Sequence, residues 1–183
     1  MKYRTIVADP PWPYPEGFAT QSRTAGVWAG PIRTKALPYG ALPLTQIRAL
    51  PVHTVAASDA RLFLWATNRY VPVALAIMKA WRFRYRQCLV WEKPDALNGS
   101  MAPNAEFLLV GQRGAPGRLG RWPSAVIRHA QPKTHSQKPE VFTDLIETAS
   151  PGPYLELFAR RNRLGWDTWG NEALCHVDLA TGT

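Results

Sequence analysis

Short apolar runs alternate along the chain with long polar stretches rich in glycine and proline. The first run, residues 5–8, predicts a buried strand that stops at Asp9-Pro10-Pro11-Trp12, since neither proline has an N–H to donate to a sheet. Residues 13–43, rich in Gly, Pro, Ser and Thr, predict a long loop of the kind that tends to carry function. A short helix is expected over 44–50 and a strand over 60–66. Residues 71–81 carry apolar positions at helical spacing. Strands are expected over 85–91 and 106–110, and 111–137 reads mostly as loop. Residues 141–149 predict a helix with Pro139 and Glu140 in its first turn, and 154–158 a further strand. Strands alternating with helices predict an α/β doubly wound sheet. In such sheets ligands bind beyond the carboxyl ends of the strands. Residues 9–12 and 159–162 both sit at such ends.

Composition narrows the class. The chain has 183 residues, of which 46% are hydrophobic, enough for one domain over 1–183 with its own core. Two cysteines, Cys88 and Cys175, are too few and too far apart for a disulfide framework or a zinc site. Cys88 is expected in the core, and a reducing cytoplasm fits. The start leads straight into a strand with no signal-peptide core. No apolar run approaches the ~18 residues of a membrane span.

Charge points to a partner. There are 22 Lys and Arg against 13 Asp and Glu, a formal net charge of +9, a balance that suits a polyanion. Between Phe107 and Pro139 there is no acid, but there are Arg113, Arg118, Arg121, Arg128, Lys133 and Lys138. Between Gly17 and Ser58 there is again none, with Arg23, Arg33, Lys35 and Arg48. Two basic loops flanking one strand-end site would make an electrostatic funnel for phosphates. Trp28, Trp122 and His129 could stack on bases. The alternative is solvated loop faces whose tryptophans anchor the loops to the core.

The strand-ending motif has a chemistry of its own. In a planar heteroaromatic amine such as adenine, the exocyclic lone pair is delocalised into the ring, so the nitrogen attacks a methyl group poorly. A carboxylate accepting one N–H and a backbone carbonyl accepting the other would hold that nitrogen in line. Asp9 offers the carboxylate and rigid Pro10 or Pro11 the carbonyl. Trp12 would give a face on which the ring stacks, worth ~1–3 kcal/mol. The four residues alone also fit a strand-ending turn with a core tryptophan.

Several further segments accompany the motif: Leu37-Pro38-Tyr39-Gly40, Leu62-Phe63-Leu64-Trp65-Ala66-Thr67-Asn68, Trp81, Trp91-Glu92-Lys93, Glu106-Phe107-Leu108-Leu109-Val110-Gly111, Ser136-Gln137-Lys138-Pro139-Glu140, Glu156-Leu157-Phe158-Ala159-Arg160, Gly165-Trp166 and Trp169-Gly170-Asn171-Glu172. In this order they resemble, over almost the whole chain, the nucleic-acid adenine-N6 methyltransferases named MT-A after the seventy-kilodalton subunit of the messenger-RNA enzyme. The resemblance implies S-adenosylmethionine as methyl donor on a Rossmann-like methyltransferase sheet. Clamp first and cofactor strand last is the permuted motif order of the β-type amino-methyltransferases. It implies cofactor contacts from Lys138, Glu156, Phe158, Arg160, Asn162, Asn171 and Glu172. Lys138 would stand between cofactor and acceptor. Tyr39 and Glu106 would border the acceptor base, and Arg118, Arg121 and Trp122 would line its approach. The family's last cofactor position is usually Gln; here it is Glu172.

A compact form resembles bacterial and phage members, where DNA is the expected substrate, with RNA left open. A duplex adenine must be flipped out before the clamp reaches it, so single-stranded DNA should be easier. A homodimer or a partner subunit could complete the groove. A rival reading is a catalytically inactive nucleic-acid-binding subunit, which would usually have lost the acid or the aromatic. Another is methylation of a small amine or a protein, against which the basic loops argue.

Overall fold

The computed structural model describes residues 1–13, 41–94, 104–132 and 137–181. Within them, β1 (Tyr3–Ala8) lies deep in a seven-stranded sheet. The other strands are β2 (Ala56–Thr67), β3 (Arg84–Glu92), β4 (Ala105–Arg113), β5 (Val126–Arg128), β6 (Tyr154–Leu157) and β7 (Trp166–Trp169). Their order across the sheet is β5-β3-β4-β2-β1-β6-β7. Only β4 runs against the rest, antiparallel to both β2 and β3. The expected α/β class holds, as a mixed sheet.

Alternation along the strands sends side chains to two cores. Ile6, Ala8, Leu62 and Leu64 face α1 (Leu44–Ala49), α2 (Val52–Val55) and α3 (Val71–Ala80), packing on Ile47, Val55, Ile77 and Trp81. Val7, Phe63, Trp65, Leu89 and Val110 face α4 (Glu140–Ala149) through Phe142 and Ile146. Phe142 is 1% exposed, and its burial is worth about 1.5–3 kcal/mol. Helices on both faces leave the strand ends as the place where polar groups collect.

β2 begins earlier than the pattern predicts, because Ser58 and Asp59 lie exposed on a frayed start where the register with β1 slips between Tyr3 and Thr5. β5 and β7 were not expected. β5 is three residues long, and β7 buries the polar Thr168 beside Trp166, so neither shows an apolar run. Cys88, expected in the core, is half-buried.

Lys2 and Leu179 both reach Thr54 of α2: Lys2 Nζ donates to the Thr54 carbonyl, and Thr54 Oγ1, which donates to Pro51 O at 2.7 Å, lies 3.2 Å from the Leu179 carbonyl. No helix among the described residues is long and apolar enough to cross a membrane.

Candidate active site

The carboxyl ends of β1, β2, β3 and β6 share one edge, and the reversed β4 starts there. β1 therefore delivers Asp9, β3 delivers Lys93, and β4 delivers Glu106, in register with Thr67 on one side and Trp91 on the other. Lys138 enters from the segment before α4, one residue ahead of the N-cap Pro139. Its Nζ lies 2.7 Å from Asp9 Oδ2 and 3.3 Å from Glu106 Oε2. Lys93 Nζ bonds the other oxygen, Glu106 Oε1. The result is a row of alternating charges, Asp9–Lys138–Glu106–Lys93. Lys138 also stands 5.4 Å from the Trp65 ring centre and Lys93 4.6 Å from that of Trp91, distances at which the ring faces favour a cation.

Burial would lower the Lys138 ammonium, but Asp9 and Glu106 outweigh it and hold it charged well above its ordinary range. Burial likewise pushes the Glu106 carboxyl up, and Lys138 and Lys93 overcome this to hold it low. Asp9 is pushed up by burial, with Lys138 pulling against it. On balance Asp9 stays raised, while the Lys138 ammonium at 2.7 Å favours its carboxylate form as a hydrogen-bond acceptor.

The prolines fix the turn behind Asp9. The Trp12 N–H donates to Pro10 O at 2.8 Å and the Leu42 N–H to Pro11 O at 3.1 Å; each carbonyl keeps a second lone pair. Trp12 is 4% exposed. Its ring stacks on Tyr70, with centres 5.0 Å apart and planes 11° apart. Its Nε1 donates to Trp65 O at 3.3 Å, and the Tyr70 hydroxyl donates to Pro13 O. Trp12 was expected to offer an open stacking face. Instead it is a post that holds the turn against the core, since its buried ring is already covered.

The carboxyl end of β6 carries the expected cofactor residues. Glu156 is partly buried and in register with Val7, two residues before Asp9. Among the described residues it has no ion pair or hydrogen-bond partner; burial first, and Asp9 second, push its carboxyl up to about 7. Phe158 turns the chain at φ 62°, a left-handed conformation that costs a bulky residue about 1–3 kcal/mol and is found at functional sites. The Ala159 N–H then donates to Trp169 O at 3.0 Å. Gly170 must be glycine at this contact, because a Cβ there would lie 2.3 Å from Ala159 O. That approach sets Arg160 against Glu172, 3.1 Å apart, with Asn171 exposed beside them.

Four expected site residues do not fit their expected places. Asn162 gives its amide to the neighbouring loop: Nδ2 donates to Thr168 Oγ1 at 3.0 Å and Leu174 O at 3.3 Å, and Oδ1 accepts from the Leu174 N–H at 3.2 Å. It lines a recess of about 640 Å³ shared with Tyr154, Arg163 and Asp167, which holds neither Asp9 nor Lys138. Arg118 and Arg121 follow the far end of β4, at the opposite edge of the sheet. There Gly117 O accepts from Arg61 at 2.7 Å and the Gly120 N–H donates to Ala149 O, the last residue of α4, at 2.7 Å. Trp122 packs on Phe63, 6.4 Å between ring centres, with its Nε1 buried and without a hydrogen-bond partner among the described residues. It anchors the loop rather than facing the approach. Only the far end of that loop reaches the Asp9 edge, where Arg128 aligns with Glu92 and the His129 N–H donates to Glu92 O. Tyr39 lies outside the described residues.

Sequence reasoning gave no role to Lys93, Tyr70 or Arg163. Lys93 stands in a quoted motif, but its partner Glu106 becomes adjacent only through an antiparallel pairing.

Known proteins resemble this chain along nearly all its length. A family model described as MT-A70 matches residues 3–172. A protein named type II methyltransferase M.MunI, from Mycoplasma sp, is 31% identical over 93% of this chain and 78% of its own length. The N(6)-adenosine-methyltransferase MT-A70-like protein of Drosophila melanogaster is 28% identical over 93% of this chain, which spans 27% of that protein. The N(6)-adenosine-methyltransferase catalytic subunit METTL3 of Homo sapiens is 26% identical over the same share, 28% of its length. With the family model covering residues 3–172, the chain belongs to the MT-A70 family.

Proposed function

We propose that this chain transfers a methyl group from S-adenosylmethionine to the exocyclic N6 amine of adenine in nucleic acid, with DNA the principal substrate. The observation that carries the reading is Asp9, its carboxyl 2.7 Å from the Lys138 ammonium, at the edge of the sheet that also bears the candidate cofactor residues of β6. Family membership supports the reaction class. The choice of DNA is supported by the Mycoplasma type II methyltransferase, of which this chain spans 78%.

The residues present fit the cofactor. It carries cationic centres, and Glu156 is a partly buried carboxyl without a partner among the described residues. Asn171 has an exposed amide, and Glu172 offers acceptors for hydroxyls. Phe158 and Arg160 flank the same end of β6. Bound there, the cofactor would supply an electrophilic methyl on a sulfonium.

The chain's own groups do the rest. Asp9 accepts one N–H of the amine, and the free lone pair of the Pro10 or Pro11 carbonyl accepts the other. This turns the nitrogen's remaining electron pair toward the methyl. Once methylated, the nitrogen would turn acidic, and Asp9 would accept its proton and pass it to water, the cofactor leaving as a neutral thioether. The Lys138 ammonium favours the carboxylate form of Asp9 until then.

The test is methyl transfer from labelled cofactor to single-stranded DNA, duplex DNA and RNA of one sequence, with nucleoside digestion and mass analysis. Label on adenine N6, greatest on DNA, is expected. Asp9→Ala should lose transfer by at least about 100-fold while binding cofactor within a few fold. Label on RNA alone would overturn the polymer assignment, and no label on any polymer the reaction.

A further inference from the structure

A second cationic surface lies at the opposite edge of the sheet from Asp9. Residues 60–91 contain no acid, but carry Arg61, Arg69, Lys79, Arg82, Arg84 and Arg86. Arg61 is buried and spends its guanidinium on Gly117 O and Ser150 Oγ. Lys79, Arg82, Arg84 and Arg86 are exposed and cluster within eight residues at the corner where α3 ends and β3 begins. Arg82 turns that corner at φ 66°. Among the described residues none of these four pairs with an acid; Arg86 Nε donates to Gln112 Oε1 at 2.9 Å. Arg113 at the end of β4 adds a cation to the corner, its Nη1 bonded to His53 O at 2.8 Å. The nearby acid on β2, Asp59, accepts from the Ala115 N–H. His53 is pushed down by burial and then by Arg82 and Arg113, so the corner carries an uncompensated positive field.

Two further features favour a strand as the ligand. Tyr85, between Arg84 and Arg86 in sequence, is 47% exposed, an aromatic surface at the same corner. β5 pairs β3 only at Val90, Trp91 and Glu92, so the outer side of 84–89 has no neighbour among the described residues.

We propose that Lys79, Arg82, Arg84, Tyr85 and Arg86 form a second binding site for a single nucleic-acid strand, holding phosphates and stacking a base away from the adenine pocket. It rests on the reading of nucleic acid as substrate. β3 has nine residues, so the two edges stand roughly 30 Å apart. A strand long enough to span that distance engages both, and a short one only the adenine pocket.

The probe is labelled oligothymidylate of roughly thirty nucleotides, longer than the ~4–16 that a small single-strand-binding domain covers and lacking adenine. Its affinity is measured against salt for the unchanged protein, for the variant with Lys79, Arg82, Arg84 and Arg86 all changed to Gln, and for Arg84→Gln and Tyr85→Ala singly. The expected salt slope falls in magnitude by about 2–3 in the quadruple variant and by roughly 0.7 in Arg84→Gln. Tyr85→Ala should weaken binding about tenfold with its slope kept. Transfer to a short adenine-containing strand should be unchanged in the single variants. Unchanged slopes, in protein that still methylates the short strand, would overturn the second site alone. These cations would then only keep the open edge of β3 from pairing with another chain. Failure of the unchanged protein to bind or methylate any nucleic acid would overturn both readings.

Discussion

Glu106 is shared between two lysines, and Lys93 is the one that lets Lys138 attend to Asp9. Lys93→Met leaves Glu106 to draw on Lys138 alone. With side chains 12% and 15% exposed, losing this pair should cost about 1–3 kcal/mol, below the figure for a fully buried pair because Lys138 remains. The acid limb of the kcat/KM profile should move to higher pH as the Glu106 carboxyl rises. Thermal melts and a pH–rate profile read both effects, and combining Lys93→Met with Glu106→Gln should restore part of the stability. Asp9, Glu106 and Lys138 were legible because acids and lysines at strand ends are chemistry-bearing types in a predicted place. Asn162 was misread for the converse reason: an amide near the cofactor strand looks like a ligand group until Thr168 and Leu174 are seen to occupy it.

Glu156 gives a pH dependence with a definite sign. Its carboxyl ordinarily titrates near 4.5 and is pushed up to about 7 in the fold, by burial first. Between those values the folded protein keeps a proton that the unfolded chain has lost. The stability it contributes is therefore full below about pH 4.5 and gone once pH has risen through 7, as much as about 3 kcal/mol. Glu156→Gln should flatten that fall and melt higher than the parent at pH 8. A parent melting temperature that rises from pH 5 to pH 8, equally in both proteins, would remove Glu156 from this role.

α4 carries Glu140, Asp144 and Glu147 along one face at helical spacing, and Arg163 reaches all three. Its Nη1 lies 2.8 Å from Glu140, its Nη2 2.7 Å from Asp144 and its Nε 2.9 Å from Glu147. Trp166 Nε1 adds a bond to Glu147 Oε1 at 2.6 Å. This fastens the segment between β6 and β7, which presents Arg160, to a helix packed by Phe142. Arg163→Met should cost about 1–2 kcal/mol, the range for a partly exposed network, and weaken cofactor binding with little effect on kcat at saturating cofactor. Calorimetry and a cofactor titration separate the two. The helix itself was legible from its apolar spacing and Pro139. Its acids were not, because nothing in sequence says which cation will face them. β7 escaped for a similar reason: the Thr168 that it buries is satisfied by Asn162, Leu174 and His176, all outside the strand.

Across the whole molecule the reversed β4 decides which cations lie at the Asp9 edge. Arg113 closes its far end and Arg118 and Arg121 follow it, whereas Arg128 returns with β5 to the Asp9 edge. A run of basic residues in one acid-free stretch thus divides between opposite edges, and no reading of charge along the chain separates them without the strand direction. With a short adenine-containing strand, Arg128→Gln should reduce the magnitude of the salt slope by about 0.7. Arg118→Gln and Arg121→Gln should leave it unchanged. The reverse ranking would mean that short strands approach along the loop after β4.

Lys2 and Leu179 meet on a single residue, Thr54, so the backbone is nearly a closed ring. In a ring the first motif and the last are a matter of where the covalent chain is cut. A linker from Leu179 to Lys2, with a new opening between exposed Gly114 and Ala115, would leave every pairing of the sheet intact. The cofactor strand would then come before the clamp in the reading order, and Asp9 would still find Lys138.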